Sequence, residues 1–244
     1  MNTEQCTKYR VWDLPVRLFH WINFLAVFCL IVLGLIMLWS KELGITGIEA
    51  KIGLKTVHVI FGYIFATNLL VRLVWGFFAN RYGRWRDILP GRGFVASLRG
   101  YMASVRSGEP QQYLGHNPLG RLSVTLMLTL MLVQMVSGLV RAGTDIYYPP
   151  FGSFVADYVV EEGFDPAAIK PYDAAGTNPQ RMEKLKAFKG PIGEVHIYAA
   201  YTLMFIILLH IFFVIRTEVT QGGGIISAMF TGKKVTDKKP VDLN

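Results

Sequence analysis

The chain has 244 residues, of which 52% are hydrophobic and 17% charged, and its mean hydropathy is +0.36. This is too apolar for an ordinary soluble domain and too short for several, so a single membrane domain over residues 1–244 is expected. The formal net charge of +8 does not point to nucleic acid, because the basic residues form no stripe or tail with interleaved aromatics and sit between apolar stretches.

Four stretches are long enough to cross a hydrocarbon core of about 30 Å, which takes about 20 helical residues. They run from near Leu18 to Trp39, Thr56 to Phe78, Leu119 to Val140 and Gly193 to Ile215. None alternates as a barrel strand would, and a helix satisfies its own backbone in lipid, so the expected fold is an all-α membrane four-helix bundle. The first run is longer than a signal-peptide core and no small-residue cleavage site follows it, so it is read as a span. Between the second and third spans, Arg81, Arg84, Arg86, Arg92, Arg99 and Arg106 face only Asp87 and Glu109. This loop is expected in the cytoplasm. Lys8, Arg10 and Arg17 before the first span, and Lys233, Lys234, Lys238 and Lys239 in a tail over 216–244, place both termini on that same side.

The connection from Gly143 to Ile192 is then periplasmic. It is long, of mixed charge, and broken by Pro149, Pro150, Pro166, Pro171 and Pro179, which argues for a short ordered cap rather than long helices. Trp12, Trp21, Trp39, Trp75 and Trp85 fall near span ends, as an interfacial aromatic belt would. Only Cys6 and Cys29 are present, and no Cys-x-x-Cys-His occurs. A disulfide framework, a thiolate zinc site and a covalently attached c-type haem are therefore not expected.

Of five histidines, His20, His58, His196 and His210 lie within or at the edges of spans. Each alone reads equally as a residue bonded to a neighbouring helix or resting at the headgroups, but ionisable residues in lipid are functional candidates because they are costly to bury. His196 and His210 share the fourth span at a separation that returns to within about 40° of one helix face, about 21 Å apart along the axis. Charge topology sets His20 level with His210 at the inner side, and His58 level with His196 at the outer side. Two imidazoles leave a zinc site incomplete, and the spans offer no carboxylate or thiolate to finish it. A haem iron needs only two axial ligands, and two histidines close it to oxygen, favouring electron transfer. Two b-type haems are therefore expected.

Gly34 shares a face with His20 at the depth of the outer pair, and serves either porphyrin approach or helix packing. Arg72 bears the same relation to His58 at the depth of the inner pair, and Arg17 lies one turn before His20; each either neutralises haem propionates or snorkels to the headgroups. His116, in Gly115-His116-Asn117-Pro118, stands before the third span as an interfacial residue at a helix entry or as a group linked to quinone and proton transfer. The third span carries Gln134 and Ser137 but no axial ligand, and is read as a packing helix.

These residues resemble the bacterial cytochrome b561 and Ni/Fe-hydrogenase b-type cytochrome family. The likeness runs through Val16-Arg17-Leu18-Phe19-His20-Trp21, Val57-His58 with Arg72 and Asn80-Arg81-Tyr82, Gly115-His116-Asn117-Pro118, and His196 with His210. Arg216-Thr217-Glu218, Ile226-Ser227-Ala228-Met229 and Thr231-Gly232 extend it into a tail like that of the hydrogenase subunit. The resemblance implies a multi-pass protein of the bacterial inner membrane that passes electrons between a periplasmic redox partner and quinone. The partner would be a hydrogenase small subunit or, given the longer third connection, a cytochrome c. The alternative is a stand-alone quinone-linked oxidoreductase acting on a small oxidant such as superoxide. Lipid and quinone are expected partners, nucleic acid is not, and oligomeric state is left open.

Overall fold

A computed structural model describes residues 7–222 (backbone only at 221), 224–236 and 238–243, and Cys6 lies outside them. Four helices are long and apolar enough to cross a membrane: α1 (Leu14–Leu38), α2 (Ile48–Phe78), α5 (Pro118–Ile146) and α7 (Pro179–Gln221). Their most apolar stretches have mean hydropathies of 2.7, 1.7, 1.9 and 2.3. Little of those stretches is buried within the protein, as suits helices whose outer surface meets acyl chains. Between them lie the short α3 (Trp85–Ile88), α4 (Phe94–Arg106) and α6 (Gly152–Val159). At the ends, α8 (Ile225–Thr231) follows α7, and strands β1 (Thr7–Arg10) and β2 (Lys233–Thr236) pair antiparallel, Thr7 opposite Thr236.

Three spans begin on the same chemistry. Asp13 accepts a hydrogen bond from the Val16 amide at 3.1 Å, Asn117 from Gly120 at 2.7 Å and Asn178 from Arg181 at 3.1 Å. Each is a side-chain oxygen capping orphan amides at a helix start. Pro118 and Pro179 then occupy first helical positions, where a missing N–H costs nothing. The expected entry turn at Asn117-Pro118 is therefore found. Asn178-Pro179 is the same signal, and it starts α7 well before Gly193, with Pro191 accommodated inside the helix. Pro179, taken as a helix-discouraging residue, is in fact a helix-initiating one. α2 and α5 also outrun their apolar runs, because hydropathy marks the hydrocarbon and a helix continues past it.

The chain forms two compact units. The first comprises Met1–Ile22, Asn68–Thr129 and Leu203–Asn244. Asp13 is a hub there: its second oxygen accepts from the Trp75 indole at 3.1 Å and the Asn80 amide at 3.2 Å. The Trp85 indole donates to the Leu73 carbonyl at 3.0 Å and fills the space a side chain at Gly76 would take. Trp21 donates to the Met229 carbonyl at 3.0 Å, and Trp12 is buried with Val11, Leu114 and Ala228. Four of the five tryptophans thus contribute contacts within this unit. Trp39 remains exposed, at 52%.

The described residues of the C-terminal tail are folded. Beside the strand pair, Asp242 accepts from the amides of Leu114 and Gly115 at 2.7 and 2.8 Å, and Lys234 donates to the carbonyls of Tyr113 and Gly115 at 3.3 and 3.1 Å. Desolvation lowers the Lys234 ammonium to about 8, so these carbonyls hold a cation near its titration range.

The second unit comprises Asn23–Thr67 and Leu130–Thr202. Its connection between α5 and α7 is the expected ordered cap. α6 packs Val159 against Ile169 and Leu185, and Val160 bridges to Thr177. Tyr63 donates to the Pro149 carbonyl at 2.6 Å, fastening the cap to α2.

Replacing Asp242 with alanine strands two amides that have no other acceptor, and is expected to cost about 2 kcal/mol. The measurement is thermal unfolding in detergent. A melting temperature unchanged in Asp242→Ala would show that the tail does not brace the Leu114–His116 loop.

Candidate functional site

In the second unit, α2 presents His58 and α7 presents His196, with ring centroids 6.4 Å apart and planes inclined at 72°. This is too far for a hydrogen bond or close stacking. A metal–imidazole bond of about 2 Å on each side, added to the radii of two rings, spans about 6 Å. The centroid separation matches that of two imidazoles sharing one metal. Small residues border both of them. A β-carbon at Gly34 would meet His58 Cε1 at 3.7 Å, and one at Gly138 would meet His196 Cε1 at 3.3 Å.

The third span holds His196 at two points. Gln134 donates to the His196 carbonyl at 2.8 Å, and Ser137 Oγ lies 2.9 Å from His196 Nδ1. With Gly138, these form one helical face, so α5 is more than the packing helix expected. His58 Nδ1, by contrast, is sealed from solvent and has no partner.

Beside this pair, Asp145 gathers three cations. Lys55 reaches it at 3.0 Å, Arg141 at 2.7 Å and Lys189 at 2.9 Å. One carboxylate leaves two of those positive charges uncompensated, and Arg141 lies within electrostatic range of both His58 and His196. Reading the connection as mixed charge concealed this cluster, because its members come from three separate stretches. The signal available was Arg141 and Asp145 one helical turn apart at the end of a span.

In the first unit, His20 on α1 and His210 on α7 lie within electrostatic range of each other. His20 Nδ1 is sealed and unpartnered, and its ring meets the edge of Trp21 with centroids 5.1 Å apart. Arg72 is buried. Its Nη2 donates to the Gly83 carbonyl at 3.0 Å, Nη1 is sealed without an acceptor, and the group stacks over Trp85 at 4.8 Å. It does not snorkel. Arg17 turns to the Phe230 carbonyl and leaves its Nε buried and unpartnered. Arg72, buried, and Arg17, half-buried, thus each keep a sealed donor that an anionic group could use.

His116 packs its ring 4.9 Å from that of Trp12, with Nδ1 sealed and unpartnered. It borders a cleft of about 100 Å³ together with Tyr82, Tyr113, Arg121 and Asp242, room for several waters. Desolvation, and then the charges of Lys234, Arg72, His210 and Arg121, push this imidazole down to about 3. It is neutral at physiological pH.

Among the described residues, no three histidine, cysteine or carboxylate side chains converge as a metal site. The donor set is paired imidazoles, which fits a metal bringing its other ligands with it. Fold and site together define a multi-pass membrane protein whose spans offer histidines in pairs. Residues 11–232 match the prokaryotic cytochrome b561 family, and the chain belongs to it. A family of this kind implies b-type haem. Similar proteins include two named as a probable Ni/Fe-hydrogenase B-type cytochrome subunit. The one from Rhodobacter capsulatus is 24% identical, over 93% of this chain and 82% of the relative. That from Rhizobium leguminosarum bv. viciae is 25% identical, over 92% and 88%. The probable Ni/Fe-hydrogenase 1 B-type cytochrome subunit of Escherichia coli K12 is 26% identical, over 66% and 70%.

The low value at His116 sets a pH dependence. The folded state resists a proton that the unfolded chain accepts below about 6.5, so this contribution makes the protein less stable as pH falls from 6.5. Melting temperature in detergent is expected to drop between pH 7.5 and pH 5, and to drop less in His116→Gln. Parallel profiles would contradict a neutral, desolvated His116.

Proposed function

We propose that this chain is the haem-bearing membrane subunit of a Ni/Fe-hydrogenase, carrying electrons between a redox partner at the periplasmic face and quinone near the cytoplasmic end. The observation that carries the reading is the pair His58 and His196, whose rings stand 6.4 Å apart in an apolar bundle. The family match, and relatives named as hydrogenase cytochrome subunits over most of their length, support the partner. The excess of arginine between α2 and α5 supports an orientation with both termini inside.

In this reading His58 and His196 hold an outer b-type haem, and His20 and His210 an inner one. These four histidines would hold the haems, which when bound would supply one-electron chemistry. The protein supplies the setting. Gly34 and Gly138 keep side chains away from the outer pair, and the two positive charges left around Asp145 match the two propionates of one haem. Arg72 and Arg17, with sealed and unused donors, do the same for the inner haem. The burial of Arg72 strengthens such charge pairing by excluding water.

Quinone reduction consumes protons as well as electrons. His116, bordering a cleft that holds several waters with Tyr82 and Asp242, is the proposed relay from the cytoplasmic side.

Two measurements test the proposal. Wild-type protein is expected to hold two haems per chain, and His58→Leu and His210→Leu one each, by visible absorption with metal analysis. Full retention in either variant would remove that residue as a ligand. Copurification from mildly solubilised membranes addresses the partner: the hydrogenase small and large subunits are expected to follow this chain. Quinol oxidation by the isolated chain, with no protein accompanying it, would instead favour the stand-alone oxidoreductase.

A further inference from the structure

We propose that Ser137 is a positioning residue for the outer haem, fixing the tautomer of His196 and lowering the reduction potential of the iron that His196 would ligate. The inference rests on the reading of His58 and His196 as axial ligands, and adds a residue that carries no metal ligand itself.

The argument follows one proton. Ser137 is buried, at 5% exposure, and its hydroxyl has a single hydrogen to give. Its Oγ lies 2.6 Å from the Val133 carbonyl and 3.4 Å from that of Gln134. Carbonyl oxygens only accept, and the shorter contact takes the hydrogen. Towards His196 Nδ1, at 2.9 Å, Oγ can then act only as acceptor. Nδ1 must therefore bear the ring's proton. A neutral imidazole carries just one, so Nε2 is left with its lone pair directed away from α5, free for a metal. The tautomer follows from the hydrogen-bond network, with Val133 at its root.

The backbone is held by the same face. Gln134 donates to the His196 carbonyl at 2.8 Å, one turn from Ser137 along α5. Ring and main chain of His196 are thus gripped together, and the imidazole has little freedom to rotate about its bond to Cα.

None of the other three span histidines has this arrangement. His58 and His20 have sealed Nδ1 atoms without partners, and no side-chain hydrogen bond to His210 occurs among the described residues. An acceptor on the far nitrogen pushes electron density through the ring to the metal and favours the ferric state over the ferrous one. Ser137 therefore acts on the outer haem alone. It biases that haem to give its electron to the inner one.

The test uses the haem-loaded protein in detergent, in a His210→Leu background so that only the outer haem contributes. Redox titration is expected to show a higher midpoint potential when Ser137→Ala is added, and a value near the starting one with Ser137→Thr, which keeps the hydroxyl. An unchanged or lower potential in the alanine variant, or a threonine variant that behaves like alanine, overturns the proposal. A structural disturbance alone would alter haem content or melting temperature without rescue of the potential by threonine. If His58 and His196 prove to bind no haem, nitrogen NMR of ring-labelled histidine in the purified chain still reads the claim about Ser137. A proton on Nδ1 of His196, lost to a mixture in Ser137→Ala, supports it; a proton on Nε2 overturns it.

Discussion

The structure turns on the two ring nitrogens of a histidine held in hydrocarbon. A neutral imidazole has one donor and one acceptor, and leaving either unpaired away from water costs about 1–3 kcal/mol. Three spans bring four such rings inside, and among the described residues only His196 has a side-chain partner for its far nitrogen. A chain gains nothing from that burial unless the remaining nitrogens bind something. The 6.4 Å gap between His58 and His196 is wide enough for one metal and too wide for the rings to satisfy each other. Under the proposed function, the bordering glycines and the excess cations around Asp145 answer the same requirement, space for a flat macrocycle and charge for its carboxylates.

Holding those rings in register is harder in lipid than in water, because apolar burial between spans yields little when acyl chains are as apolar as leucine. Polar links do more. Asn68 donates to the Phe19 carbonyl at 3.0 Å next to His20, and Gln134 to the carbonyl of His196 itself at 2.8 Å. Asn23 reaches the Met131 sulfur at 2.8 Å. Two of these three bonds are made to backbone at or beside a span histidine, so each fixes the helix segment that carries the ring.

Much of this was legible before any coordinates. The spans announce themselves because hydrocarbon demands long apolar runs, and the histidine pairs emerge from helical pitch combined with charge topology. Helix ends were less legible, since hydropathy measures the bilayer and not the helix; α7 begins at an Asn-Pro cap identical in kind to the one recognised at Asn117. The roles of Gln134 and Ser137 were hidden, because a polar residue in a span has no readable partner until the neighbouring helix is rotated into place. The Asp145 cluster draws on three distant stretches, and the strand pair joining Thr7–Arg10 to Lys233–Thr236 is too short and too basic to stand out. The partners of the tryptophans were hidden for a related reason: an indole satisfied by Asp13 or by the Leu73 carbonyl looks in sequence like one satisfied by a headgroup.

The central claim is that two pairs of histidines each close the axial positions of one iron. Low-temperature electron paramagnetic resonance of the oxidised, purified protein tests it most directly, because spin state reports coordination. The account predicts two low-spin ferric signals per chain, of equal intensity, and no high-spin component. A high-spin signal accounting for half or more of the iron would mean an open axial position, and would contradict it.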